Sequence, residues 1–157
     1  MINWFFNRLA GMKTVLYTLY YRNVFKHFGK GSIVMGKLRL YGETTNISIG
    51  NYCRLHDGVM LNAYMANIKI GDKVVLSPDV KLITPSLTKN KKYEDRTHIG
   101  KDIIIEDECW LATNTTVIGG VIMAKGTILA TGSVLTKNTG MFEIWAGCPA
   151  KKIGDLN

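Results

Sequence analysis

The chain carries three histidines, His27, His56 and His98, and three cysteines, Cys53, Cys109 and Cys148. Histidine exchanges its proton nearest neutral pH, so each is a candidate acid or base. His98 follows Glu94 and Asp95 in a charged stretch, and a carboxylate beside an imidazole can orient it, as in hydrolytic triads. His56 adjoins Asp57, but neighbours on a strand point to opposite faces, which makes that pair weak. His27 reads as solvated. The cysteines are odd in number and far apart, without a CxxC pair or a histidine pattern. They indicate neither a disulfide framework nor a zinc site, no metal site is expected, and a reducing cytoplasm is the simplest setting. No G-x-x-x-x-G-K-[ST] loop is present to cradle nucleotide phosphates. Lys89-Asn90-Lys91-Lys92-Tyr93 reads as a solvated loop tip in preference to a phosphate or anionic-glycan contact.

The elements that must position these groups announce themselves as a repeat. From Ile105 the sequence divides every six residues, with Ile105, Leu111, Val117, Met123, Leu129 and Leu135 at the first positions. The fourth positions of the last five hexads are Asn114, Gly120, Gly126, Gly132 and Asn138, the residue types that best tolerate positive φ. One inward apolar residue and one corner per six residues predicts short strands, each stacked on its copy one coil earlier. The same phase holds at Ile49, Leu55 and Leu61, and again at Ile70, Leu76 and Leu82, with a nine-residue step between Leu61 and Ile70. Residues 84–101 are too polar to continue an apolar interior and should leave the coil as an exposed loop. The organisation expected is a helical segment over 1–28 followed by a coiled domain over 29–154.

Composition supports a packed domain: 157 residues, 46% of them apolar, with 16 glycines and 3 prolines. The net charge of +8 is unevenly placed. Residues 1–40 hold seven Lys and Arg and no Asp or Glu, while from Glu43 onward thirteen bases face twelve acids. A nucleic-acid partner is therefore not inferred from the total. Ile2, Phe5, Phe6, Leu9, Met12, Leu16, Leu19 and Tyr20 recur at helical spacing beside Arg8, Lys13, Arg22 and Lys26, a basic amphipathic helix. Two readings compete. The helix packs its aromatic face on the rest of the protein or on a partner subunit, or residues 1–28 make peripheral contact with an anionic membrane. No secretory signal is recognised. The longest uncharged stretch that looks membranous, Thr14 to Tyr21, has eight residues, where a spanning helix needs about 20. The expected location is cytoplasmic, with the inner membrane face as the peripheral alternative.

Four motifs carry a resemblance: Ile70-Gly71-Asp72; Ile105-Glu106-Asp107-Glu108-Cys109-Trp110-Leu111-Ala112; Gly132-Ser133-Val134-Leu135-Thr136-Lys137; and Ala146-Gly147-Cys148-Pro149-Ala150-Lys151-Lys152-Ile153. Over about residues 46–154 the chain resembles the hexapeptide-repeat acyltransferases of the left-handed parallel β-helix fold, especially the galactoside, maltose and cell-surface-polysaccharide O-acetyltransferases. The resemblance implies an all-β coil, a homotrimer of prisms standing side by side, and acetyl-CoA as cosubstrate in a groove between subunits. It implies transfer of an acetyl group to a sugar hydroxyl, in a cell-surface polysaccharide or glycolipid precursor. Trp110, Ala112, Thr113, Thr131, Gly132, Thr136, Lys137 and Lys151 match its cofactor-groove positions, with Lys152 a further cation for phosphate, and Asn62 matches an Asn near the transferred acetyl group. Trp110 and Thr136 also admit a plain coil-packing role.

The general base is where the pattern breaks. The family reads T-x-[ST]-H, whereas this chain has Thr84-Pro85-Ser86-Leu87, and leucine takes no proton. His98, returning from the same loop, is the leading substitute base; His56 is a second. Otherwise catalysis is weak and rests on proximity and Asn62, or the chain is a cofactor-binding or scaffold trimer without useful catalysis.

Overall fold

A computed structural model describes residues 2–157, with side chains from Gly11 onward. Helix α1 (Ile2–Arg22) leads into a parallel coil with three faces. The first face stacks His27–Phe28, Ile47–Ile49, Ile68–Ile70, Ile103–Ile105 and Ile122–Met123. The second stacks Ile33–Val34, Arg54–Leu55, Val75–Leu76, Trp110–Leu111 and Ile128–Leu129, and ends in the antiparallel pair Glu143–Gly147 and Ala150–Asp155. The third stacks Arg39–Gly42, Met60–Ala63, Lys81–Ile83, Thr116–Ile118 and Val134–Leu135. Within each stack like residues pair in register, as Leu55 with Leu76 and Leu76 with Leu111.

The six-residue phase explains the core. All twelve first-position residues, from Ile49 to Leu135, are 4% exposed or less, and residues two positions earlier, such as Ile47, Val59, Ile68, Val80 and Ile103, join them in filling the prism. Their backbone groups bond to the coils above and below, and the strands need no hairpin partners. Asn114, Gly120, Gly126 and Gly132 have positive φ, as the period predicts. Asn138 does not; its Oδ1 instead accepts the Ile122 N–H at 2.9 Å. Other corners with positive φ fall on Tyr52, Lys73, Asp79 and Glu108. Packing of each coil on the next outweighs the local cost there, so residue type alone did not mark these corners.

The corner after the first face shows what Ile-Gly-Asp does. Asn51 Oδ1 accepts the Lys30 N–H at 2.9 Å, Asp72 Oδ1 the Asn51 N–H at 2.7 Å, and Asp107 Oδ1 the Asp72 N–H at 2.8 Å. Each side chain ties its turn to the coil before. A Cβ on Gly50 would overlap Asp72 Oδ1 and one on Gly71 would overlap Asp107 Oδ1, which is why glycine precedes Asn51 and Asp72.

Both coil ends are covered, as solenoids require. Thr18 Oγ1 accepts the Val34 N–H and Tyr21 Oη the Leu38 N–H, both at 2.9 Å, so α1 satisfies donors on the first coil. Tyr17, Tyr21, Phe25 and Phe28 stack in series over that end, with successive centroids 5.8 to 6.4 Å apart. This corrects the helix face expected from the sequence. Met12, Leu16, Leu19 and Tyr20 are exposed, and Tyr17 and Tyr21 on the other side make the contact, because their side can also bond the coil edge. Ile2, Phe5, Phe6 and Leu9 lie outside the residues whose side chains are described.

Candidate functional site

Residues 84–101 leave the coil between its third and first faces as an antiparallel hairpin, Pro85–Leu87 against His98–Gly100. Its base is tethered: Thr84 is fully buried, and its Oγ1 lies 2.9 Å from both the Asn62 and Tyr64 carbonyls. The register sets Leu87 directly opposite His98. Directly opposed residues on an antiparallel pair project to the same side, with Cβ atoms about 5 Å apart. The imidazole therefore emerges beside the place where the family's pattern would set a histidine. Its ring meets Tyr64 edge-on, with centroids 6.4 Å apart and planes at 86°. The Tyr64 N–H in turn donates to Asn62 Oδ1 at 3.3 Å. Asn62, Tyr64, Thr84 and His98 thus gather on one edge of the prism.

The expected carboxylate partners of His98 do not reach it. Glu94 and Asp95 lie in the short 3-10 turn at the exposed hairpin tip, where the Asp95 carbonyl accepts from the Asn90 amide. Arg96 and Thr97 separate that tip from His98 in the chain, and among the described residues neither carboxylate pairs with the imidazole. Tyr64 was invisible to sequence reasoning because it falls in the nine-residue step that interrupts the phase.

Of the cofactor-groove residues, Trp110, Ala112, Thr113, Thr131 and Gly132 line a different edge, between the second and third faces, whereas Thr136 and Lys137 follow the last third-face strand. Trp110 points outward, 47% exposed, and its Nε1 donates to Ser77 Oγ at 3.0 Å. That bond orients the indole, and Ser77 was findable as the residue one coil before Ala112 in the same phase. Ala112 is buried at this edge, with Thr113 exposed beside it, and one coil later come Thr131 and Gly132, whose N–H donates to the Thr113 carbonyl at 3.0 Å. No atom lies within 4 Å of where a Cβ on Gly132 would stand, leaving the backbone open to a ligand chain.

At the last coil Thr136 and Lys137, after the third-face strand, and Trp145, Pro149, Ala150, Lys151 and Lys152 of the terminal strand pair line a cleft of about 280 Å³. Among the described residues Lys137 and Lys151 have no ion-pair partner, and their ammonium groups suit phosphate oxygens. Lys152 does not share that freedom. It is held by Glu143 at 3.0 Å and Asp155 at 2.6 Å, and these bonds raise its pKa. Glu143 is held below the usual carboxylate range, first by the Trp145 indole N–H and then by Lys152.

His56 sits on the cofactor edge, not the hairpin edge, two coils before Ala112, or roughly 10 Å at the usual strand spacing. Burial first, and then the charge of Arg54, lower its pKa. Cys53 and Cys109 are buried and their thiols are pushed up by burial, that of Cys109 to about 12. Among the described residues no three His, Cys, Asp or Glu side chains converge as metal ligands.

No protein-family model matches the chain. It is 27% identical to gamma carbonic anhydrase 2 of Arabidopsis thaliana over 125 residues, covering 78% of this chain and 41% of that protein. It is 26% identical to the galactoside O-acetyltransferase of Escherichia coli over 122 residues, covering 74% and 57%. The chain thus spans about half the length of the curated relatives it matches. Among solved structures, the hexapeptide-repeat acetyltransferase of Vibrio cholerae in complex with acetyl coenzyme A aligns at a TM-score of 0.76 and 26% identity, over 87% of this chain and 74% of that one. With its six-residue repeat and three-faced coil, the chain has the fold of the hexapeptide-repeat acetyltransferases and is similar to them in sequence.

Proposed function

We propose that the protein is an acetyl-CoA-dependent O-acetyltransferase acting on a sugar hydroxyl, with His98 as general base. One observation carries the reading: the hairpin register that sets His98 opposite Leu87, beside Tyr64 and Asn62. His98 would take the proton of the acceptor hydroxyl as that oxygen attacks the thioester carbonyl. The Asn62 amide is offered to the acetyl oxygen, on which negative charge builds. Thiolate leaves, and the hydroxyl becomes an ester.

The geometry favours a site shared between copies. The hairpin edge and the Trp110 edge are separated by the third face, four residues long at Met60–Ala63, or roughly 13 Å at about 3.3 Å per residue. A base must come within about 3 Å of its proton. Two edges that far apart meet when one copy's hairpin edge faces its neighbour's Trp110 edge, and three copies close the ring. We therefore read the assembly as a homotrimer. Lys137 and Lys151 would hold the phosphates of coenzyme A at the open end, and the bare backbone at Gly132 would admit the pantetheine arm.

The test is thiol release from acetyl-CoA by the purified protein with a panel of sugars. His98→Ala should lower kcat/KM by about 10²- to 10⁴-fold, and Leu87→His in that background should restore part of it. Unchanged activity in His98→Ala removes the assigned base. Coenzyme A binding with no transfer to any acceptor would favour a binding or scaffold trimer instead.

A further inference from the structure

One surface is used neither by the coil nor by the site proposed above. Met12, Val15, Leu16, Leu19 and Tyr20 are 53 to 65% exposed and recur at three- and four-residue spacing, so they form one stripe along α1. The other side of the helix, at Tyr17, Thr18 and Tyr21, is taken up by the coil. Lys13, Arg22, Lys26, Lys30 and Lys37 are exposed around the stripe, and the first 42 residues contain no Asp or Glu. Where helix meets coil, Leu16, Tyr17, Tyr20, Tyr21 and Lys37 line an open crevice of about 430 Å³. An ammonium group thus stands at the rim of an apolar, aromatic floor.

We propose that this stripe and its crevice are a peripheral docking surface for an anionic lipid bilayer. The chemistry required is an apolar phase for Leu16, Leu19 and Tyr20 and fixed negative charge within reach of the surrounding cations, and a bilayer surface rich in anionic headgroups supplies both. A second copy of the chain supplies only the first. Two such segments face to face would oppose cation to cation with no carboxylate between them. No helix of the described residues is long and apolar enough to cross a membrane, so α1 lies in the interface plane. It covers the first coil, whereas the Lys137 and Lys151 cleft is at the last, so docking leaves that cleft facing away from the lipid. The proposal does not depend on the acetyltransferase reading.

The experiment is co-sedimentation of the full chain with vesicles of phosphatidylcholine alone and of phosphatidylcholine mixed with phosphatidylglycerol. Binding is expected only to the mixed vesicles and should fall as salt screens the charges. Partitioning should drop about five-fold per cation removed, thus roughly 25-fold in Lys13→Gln/Lys26→Gln. Leu16→Ser/Leu19→Ser should lower it by more than about ten-fold through lost apolar burial. All four positions are exposed, and circular dichroism checks that the variants remain folded. Equal binding to both vesicle types, or no binding to either, overturns the proposal. So does a change of oligomer size in Leu16→Ser/Leu19→Ser without lipid binding, which would assign the stripe to contact between copies.

Discussion

Replacing Gly71 by alanine should loosen the coil at one turn. A Cβ on Gly71 would overlap Asp107 Oδ1 and lie 2.8 Å from the Asp107 nitrogen and 3.0 Å from the Glu106 carbonyl carbon. The carboxylate can swing away, but the backbone behind it belongs to the next coil. Swinging away gives up the 2.8 Å bond from the Asp72 N–H to Asp107, and bonds to charged groups contribute about 1.5–3 kcal/mol. Residual backbone crowding adds to that loss, while the stiffer unfolded chain returns about 0.4–1 kcal/mol. The net expectation is a loss of about 1–3 kcal/mol, or a melting temperature lower by about 2–12 °C at the usual 2–4 °C per kcal/mol for a domain of this size. Gly11→Ala is the control: nothing lies within 4 Å of its Cβ, and alanine in a helix gains about 0.5–1 kcal/mol over glycine. Thermal denaturation at matched protein concentration measures both. Because Gly71→Ala and Asp107→Ala remove the same bond, the double variant should be about as stable as either alone. Gly71→Ala melting with the wild type, or full additivity in the double variant, would refute the ladder as the reason for this glycine.

Two further outcomes follow from the charges. His56 is harder to protonate in the folded chain than in the unfolded one, so its contribution to stability is complete above about pH 6.5 and is lost as pH falls through the lowered folded value. His56→Gln should flatten the fall in denaturation midpoint between about pH 7 and pH 5. If acetyl-CoA binds in the cleft, Lys137→Ala and Lys151→Ala should each raise its KM about three- to ten-fold. Lys152→Ala should change it less than about two-fold, since that ammonium is already held by Glu143 and Asp155; steady-state kinetics separates the three.

The coil was legible because it repeats. Six-residue spacing of aliphatic side chains admits one solution in which every such residue faces inward and every strand has a partner, and the first positions from Ile49 to Leu135 are all buried. The corner residues were only partly legible. Gly and Asn mark corners by their own conformational freedom, but Tyr52, Lys73, Asp79 and Glu108 adopt the same conformation under pressure from the neighbouring coils. The cofactor edge could be drawn from motif positions, and Ser77 beneath Trp110 could have been added by counting one coil back.

Local order therefore determined the fold, the place where the hairpin leaves it and the absence of a histidine at position 87. Tertiary structure alone decided three things. It chose which stripe of α1 packs, because both stripes are apolar and only Thr18 and Tyr21 can also meet the bare N–H groups of the first coil. It removed Glu94 and Asp95 from His98, because a turn at a hairpin tip follows its own backbone bonds. And it set His98 across from Leu87, because cross-strand register depends on how both ends of a loop are anchored, a relation between residues eleven apart that no local pattern contains.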